Sequence, residues 1–201
     1  MKDGREIVTI INKLAMIPFD FIFATKDFHP PHHCSFASQH PGAEPFVSKH
    51  TIRNPEASNG NVEEQEITLW PDHCVQGTPG CELLPELDTT YIEKIIEKGG
   101  DPRVEAYSGF GPPFRNPEVA MSGLSAHLRD KGIERVFVCG LALDYCVKCT
   151  AIDIAKAGYE TFVVEDATKA VDQSEEGLKA TKREMEEHGV TFLTYEEVLQ
   201  C

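Results

Sequence analysis

The sequence predicts an α/β protein built on a mainly parallel sheet with helices on both faces. Short apolar runs alternate with helical patterns, the signature of successive strand–helix units. The runs at 19–25 (FDFIFAT) and 134–139 (ERVFVC) are apolar nearly throughout instead of alternating, as strands buried on both faces require. A chain of 201 residues with 41% hydrophobic and 26% charged residues is long and apolar enough for one domain with its own core.

The elements follow in order. Residues 3–16 read as a helix, with Asp3 and Glu6 as a capping box and Ile7, Ile10, Ile11 and Leu14 on one face. Residues 19–25 read as a buried strand. Residues 26–80 read as irregular, carrying seven of the 13 prolines and six of the eight histidines. So long a loop region in a compact domain is usually functional. Within it, the polar run SNGNVEEQE (58–66) reads as an exposed, mobile insert. A strand at 93–97 runs into Lys98-Gly99-Gly100, and 101–120 is loop again. Ser122 is a candidate cap for a helix reaching Arg129, with Lys131-Gly132 as its stop. The strand 134–139, the turn at Gly140 and a helical pattern ending at Gly158 follow. A strand at 161–165 leads into a loop (DATKAVD), and Ser174 caps an amphipathic helix that stops at Gly189. A strand at 190–194 and a short helix at 195–199 complete the chain. There is no internal repeat, and residues 1–201 read as a single domain.

Composition excludes several functions. A formal net charge of −14 repels nucleic acid and anionic membrane surfaces. No apolar run approaches the roughly 20 residues of a membrane helix. The start, MKDGREIVTIINK, has no signal-peptide pattern. Seven cysteines, an odd number, read as free thiols or ligands and not as a disulfide framework. The expected location is cytoplasmic.

Three groups of residues could carry chemistry. Asp27-Phe28-His29 follows the first strand, where ligands bind in open α/β sheets, and its outer two side chains share a face if the segment is extended. With His73 of Trp70-Pro71-Asp72-His73-Cys74 it offers a mixed oxygen–nitrogen ligand set for a divalent ion. The same residues could equally be polar turn formers, and His32, His33, His40 and His50 are alternative ligands. Lys98 ends a strand: it is either a solvated terminus or a cation that stabilises a thiolate. Cys146 lies where strand gives way to helix, a position whose unpaired N–H groups favour a thiolate and can hold an oxyanion. A small buried core residue is the competing role for this cysteine. Cys146-Val147-Lys148-Cys149 also has the C-x-x-C spacing of thiol redox proteins.

Four blocks, TKDFHPPHHCSFA (25–37), LWPDHCVQGTPG (69–80), EKG with EAYSGF (97–110) and CGLALDYCVKCTAIDIAKAGY (139–159), resemble the metal-binding nicotinamidase branch of the isochorismatase-like cysteine hydrolases. The resemblance spans most of the chain in the right order. It implies a three-layer, doubly wound, isochorismatase-like α/β fold and hydrolysis of nicotinamide to nicotinate and ammonia. It implies Cys146 as nucleophile forming a thioester and Lys98 as the group stabilising its thiolate. Asp27, His29 and His73 become ligands of a divalent metal, zinc by resemblance, that anchors the pyridine nitrogen. A cis peptide at Leu141–Ala142 and an oxyanion hole from the Ala142 and Cys146 N–H groups are also implied. Tyr107, Phe110 and Tyr145 become pocket walls. The implied partner is a small carboxamide, with a second copy of the chain left open.

The chain departs from the family in one respect. The family opens on a central strand ending in an Asp that serves as general acid/base, and this sequence starts after that block. The expectation is therefore an N-terminally truncated domain lacking that strand, with weak or no turnover. The alternatives are a non-catalytic pyridine- and metal-binding relative and a C-x-x-C redox protein.

Overall fold

The computed structural model describes residues 2–58 and 62–201. The chain forms two compact units: Met1–Phe23, Leu84–Lys94 and Leu124–Cys201 make the first, and Ala24–Leu83 with Ile95–Gly123 make the second. In chain order the elements are α1 (Val8–Ala15), β1 (Phe23–Asp27), β2 (Lys49–Arg53), β3 (Glu64–Thr68), β4 (Lys94–Lys98), α2 (Leu124–Asp130), β5 (Arg135–Leu141), α3 (Lys148–Lys156), β6 (Glu160–Lys169), α4 (Glu175–Glu187), β7 (Val190–Leu193) and α5 (Tyr195–Val198).

The first unit is a parallel sheet in the order β5–β6–β7. Successive side chains on a strand point to opposite faces, and neighbouring Val163 and Val164 divide two cores accordingly. Val163 packs with Leu143, Val147, Ala151, Ile152, Met185 and Val190, so α3 and α4 cover that face. Val164 packs with Leu14, Ala167 and Val198, beside Ile10, Ile11 and Phe137, so α1 and α5 cover the other. Apolar strands sandwiched between amphipathic helices are the three layers the sequence predicts for this part of the chain.

Local chemistry sets the element ends. The Ser174 hydroxyl accepts the Gly177 N–H and starts α4 as predicted. Thr194 and Glu197 form a full capping box at α5. The box expected from Asp3 and Glu6 does not form: Asp3 is in the left-handed region (φ 56) with no side-chain cap bond. The first turn is 3₁₀ (Gly4–Ile7), and the α-helical part begins at Val8. The strand expected at 161–165 runs on to Lys169, past a register shift between Val138 and Gly140, so part of the expected loop is strand.

β1 and β4, all but their first residues in the second unit, pair with each other. Glu93 N–H bonds the Ile22 carbonyl at one end and Phe28 N–H the Lys98 carbonyl at the other, so the strands run in the same direction. The first strand is Phe23–Asp27, later than the expected 19–25, which brings Asp27 into the strand. Residues 26–80 are not wholly irregular, because β2 and β3 form an antiparallel pair with Lys49 opposite Thr68 and Arg53 opposite Glu64. The expected insert at 58–66 is therefore partly strand, and its residues 59–61 lie outside the described residues. Mixed polar sequence hid these strands: only Ile52 and Ile67 face the core formed with Val104, Phe114 and Val119. Glu63 ties the hairpin down by accepting from Asn54 Nδ2 (3.0 Å) and from the backbone N–H groups of Arg115 (3.0 Å) and Asn116 (3.0 Å).

Two outcomes follow from this packing. Met185 is 0% exposed, so Met185→Ala should cost about 2–5 kcal/mol in denaturant unfolding. Lys179→Ala, in an exposed pair with Glu175, should change stability by no more than about 0.5 kcal/mol. The hydrogen bonds from Asn54, Asn116 and Arg115 lower the Glu63 pKa from 4.5 to about 2. A depressed carboxyl pKa adds stability above the unfolded value that is lost as pH falls from about 4.5 through about 2. A carboxyl NMR titration placing Glu63 near its ordinary value would contradict this, and Glu63→Gln should flatten that part of the stability profile.

Candidate functional site

In the second unit, two loops are stitched into parallel register. His29 N–H bonds the Cys74 carbonyl (3.0 Å), Gln76 N–H the His29 carbonyl (2.8 Å), and Trp70 N–H the Ser35 carbonyl (2.7 Å). The bridges His29–Val75 and Phe36–Trp70 result, and they bring His73 beside His29, ring centroids 4.9 Å apart. Asp27 closes the group at the end of β1. Ligand atoms of Asp27, His29 and His73 lie within 4.8 Å of one another.

The tautomers of both imidazoles follow from their partners. His29 Nδ1 lies 2.9 Å from the Gly99 carbonyl and His73 Nδ1 2.8 Å from the Pro71 carbonyl. A carbonyl can only accept, so both Nδ1 atoms carry the proton and both Nε2 lone pairs are free to ligate. One carboxylate and two imidazoles whose Nε2 atoms have no hydrogen-bond partner among the described residues fit a divalent transition ion with positions left open.

A second cluster, His29 with His33 and Glu105, also lies within 4.8 Å and is wholly buried. Its chemistry is less suited. His33 Nε2 donates to the Val104 carbonyl (3.0 Å) and Nδ1 accepts from the Ser35 hydroxyl (2.8 Å), so both ring nitrogens are committed. Burial, opposed by Glu105, lowers the His33 pKa to about 4 and keeps it neutral. Glu105 accepts the Ala106 N–H at 2.8 Å. Sequence reasoning placed His33 only among alternative ligands and missed Glu105, which no pattern marked.

Lys98 joins the first group. Its side chain is 4% exposed, and its ammonium bonds Asp27 Oδ1 at 2.5 Å and the Ala106 carbonyl at 2.7 Å. Burial pushes the Asp27 carboxyl up, yet the charge and hydrogen bond of Lys98 hold it below the usual carboxylate range. Of the expected pocket walls, Tyr107 accepts the Trp70 indole N–H (3.1 Å) and Phe110 is buried.

In the first unit, Cys146 sits in a π-helical turn, Leu143–Val147, between β5 and α3. The preceding Leu141–Ala142 peptide is cis, as the family resemblance implies, and Gly140 (φ 115) takes a conformation that excludes most side chains. Ala142 is extended and its carbonyl accepts from the N–H groups of Tyr145 (3.1 Å) and Val147 (3.0 Å). Sequence reading missed Asp144, whose two carboxylate oxygens accept the N–H groups of Val171 and Asp172 at 2.9 Å each, tethering this turn to the segment after β6. Cys146 is partly exposed, as are Cys34, Cys74 and Cys139, but desolvation raises the thiol pKa of Cys34 to about 12 and those of Cys74 and Cys139 to about 11. Those three thiols stay protonated at neutral pH and are poor nucleophiles.

Residues 37–197 match the family model described as Isochorismatase domain. The chain belongs to the isochorismatase family. It is 39% identical over 194 residues to the nicotinamidase of Acinetobacter baylyi, covering 96% of this chain and 83% of that protein. The structure of the yeast nicotinamidase bound to the inhibitor nicotinaldehyde superposes with a TM-score of 0.86 at 32% identity, covering 96% of this chain and 90% of that one. The Pyrococcus horikoshii pyrazinamidase, solved in complex with zinc, superposes with a TM-score of 0.70 at 30% identity, over 96% and 87% of the two chains. The isochorismatase-like α/β fold expected from sequence is thus established.

The ion pair in the second unit has a measurable weight. Lys98→Met should destabilise the protein by about 3–5 kcal/mol in denaturant unfolding, because it strands the largely buried Asp27 carboxylate without its cation. A loss under about 1 kcal/mol would show that water solvates Asp27 instead.

Proposed function

We propose that this chain hydrolyses nicotinamide to nicotinate and ammonia, a step of NAD salvage. The observation that carries the reading is the Asp27–His29–His73 group, its imidazole tautomers fixed for ligation, in a chain similar to nicotinamidases over 96% of its length.

The roles divide by chemistry. Cys146 attacks the carboxamide carbon as the thiolate, and the Ala142 and Cys146 N–H groups receive the charge that develops on the carbonyl oxygen. The C–N bond breaks, the leaving nitrogen takes up from water a proton equivalent to the one the Cys146 thiol released to water, and ammonia departs to leave a thioester. Water then adds to the thioester carbon and expels the Cys146 sulfur, releasing nicotinate. By the family resemblance, Lys98 is the cation assigned to favour the thiolate. Asp27, His29 and His73 would hold a divalent ion such as zinc, which would supply Lewis-acid chemistry for the pyridine ring and for water. By the same resemblance, Tyr107, Phe110 and Tyr145 are the residues assigned to the pocket wall.

The proposal treats residues 1–201 as one catalytic domain acting in the cytoplasm. The partner it needs is the small carboxamide. The net charge of −14 argues against nucleic acid, and no described helix is long and apolar enough to cross a membrane. None of the roles above is an acid/base carboxylate. The second reading is a pyridine- and metal-binding protein without turnover.

Ammonia release from nicotinamide separates the readings. Cys146→Ala should lower kcat by at least about 10³-fold, while Cys149→Ser should stay within a few-fold of the parent. Activity surviving in Cys146→Ala would remove the thioester route. Stoichiometric zinc and nicotinamide binding with no detectable ammonia would favour the binding protein, and a requirement for both thiols would point to redox exchange.

A further inference from the structure

The residue after Lys98 lies closer to the histidine ligand than any side chain could. Gly99 has φ +69, and a Cβ placed on it would stand 2.6 Å from His29 Nδ1 and closer still to Cε1. Real Cβ atoms do not approach other heavy atoms so closely. The Gly99 carbonyl meanwhile accepts the His29 Nδ1–H at 2.9 Å. The close approach and the hydrogen bond belong together: with a Cβ present, either the ring or the backbone has to withdraw. The neighbouring glycine is unlike it. A Cβ on Gly100 would meet only Gln76 Nε2 and the Phe28 carbonyl, both at 3.9 Å, an ordinary contact distance.

Other contacts set the strand end that carries this carbonyl. The Lys98 carbonyl accepts the Phe28 N–H at 2.8 Å, and Lys98 itself is held by Asp27 and Ala106. The peptide that aims at His29 is therefore one residue beyond a paired strand and not part of a free loop. An imidazole ligand whose other nitrogen is bonded to a fixed carbonyl is pre-oriented and in the correct tautomer before any ion arrives.

We propose that Gly99 is a positioning residue for metal binding: the absence of its side chain lets its carbonyl set the His29 tautomer and aim Nε2 at the ion. The inference rests on the Asp27–His29–His73 group being a metal site.

The test is zinc affinity, measured by competition with a chromophoric chelator on the full chain, with His29→Ala defining binding at other groups such as the cysteines. Gly100→Ala should bind as the parent does. Gly99→Ala should bind about 10–100-fold more weakly, the usual cost of losing a partner behind a ligand, while keeping the parent's near-ultraviolet circular dichroism. Parent-like affinity in Gly99→Ala overturns the proposal alone, as does an equal loss in Gly100→Ala. A parent no better than His29→Ala overturns the metal-site reading and this inference with it. If Gly99→Ala does not fold, ¹⁵N NMR of the metal-free parent decides: a proton on His29 Nδ1 supports the proposal, and a proton on Nε2 overturns it.

Discussion

A lysine side chain that is 4% exposed must have its charge balanced within the protein, and Lys98 has that balance in Asp27 Oδ1 at 2.5 Å. Much of the second unit is arranged around this pair. It fixes the ends of β1 and β4 against each other, and the backbone bond from Phe28 N–H to the Lys98 carbonyl continues the pairing one residue further. His29 leaves β1 two residues past Asp27, and Gly99 leaves β4 one residue past Lys98, so the same strand ends deliver a carboxylate, an imidazole and the carbonyl that orients it. Desolvation costs of this size are tolerated in proteins where they hold a specific geometry, and a pair beside candidate ligands is such a place.

The cysteine turn depends on a different constraint. A parallel strand must be followed by a connection back across the sheet, and β5 reaches it through a residue with φ 115, a cis peptide and a π-helical turn. Each departs from regular geometry, and a short carboxylate holds the turn by accepting two N–H groups from the segment after β6. That segment continues into Ser174 and the start of α4, whose Met185 lies in the core. The turn is therefore anchored to a packed helix, and its rigidity comes from neighbouring elements as well as its own.

Legibility in the sequence tracked how local each signal is. The strand around Val138, the helix capped by Ser174 and the stop at Gly132 were readable because apolar period, hydroxyl caps and positive-φ glycines act within a few residues. The hairpin of β2 and β3 was not, since Lys49, His50, Arg53, Glu64 and Glu66 give it a polar outline and only Ile52 and Ile67 enter a core. The Asp3 cap failed because a single side-chain oxygen competes with a backbone that here prefers a left-handed start. His29 and His73 were singled out, but so were four other histidines, and sequence alone ranked them only through resemblance.

By itself the sequence determined the α/β class, the order of most elements and the residue types available for chemistry, because propensity, period and caps are written along the chain. It also determined the family, through motifs whose residues stand at the right spacing. Only the tertiary structure decided which histidines keep a ring nitrogen uncommitted. His33 and His29 look alike in the sequence, four residues apart, yet one has both nitrogens bonded within the protein and the other has one nitrogen bonded and one free. That difference is made by carbonyls of residues about 70 positions away, at Gly99 and Val104, and no local pattern encodes where a distant carbonyl will point.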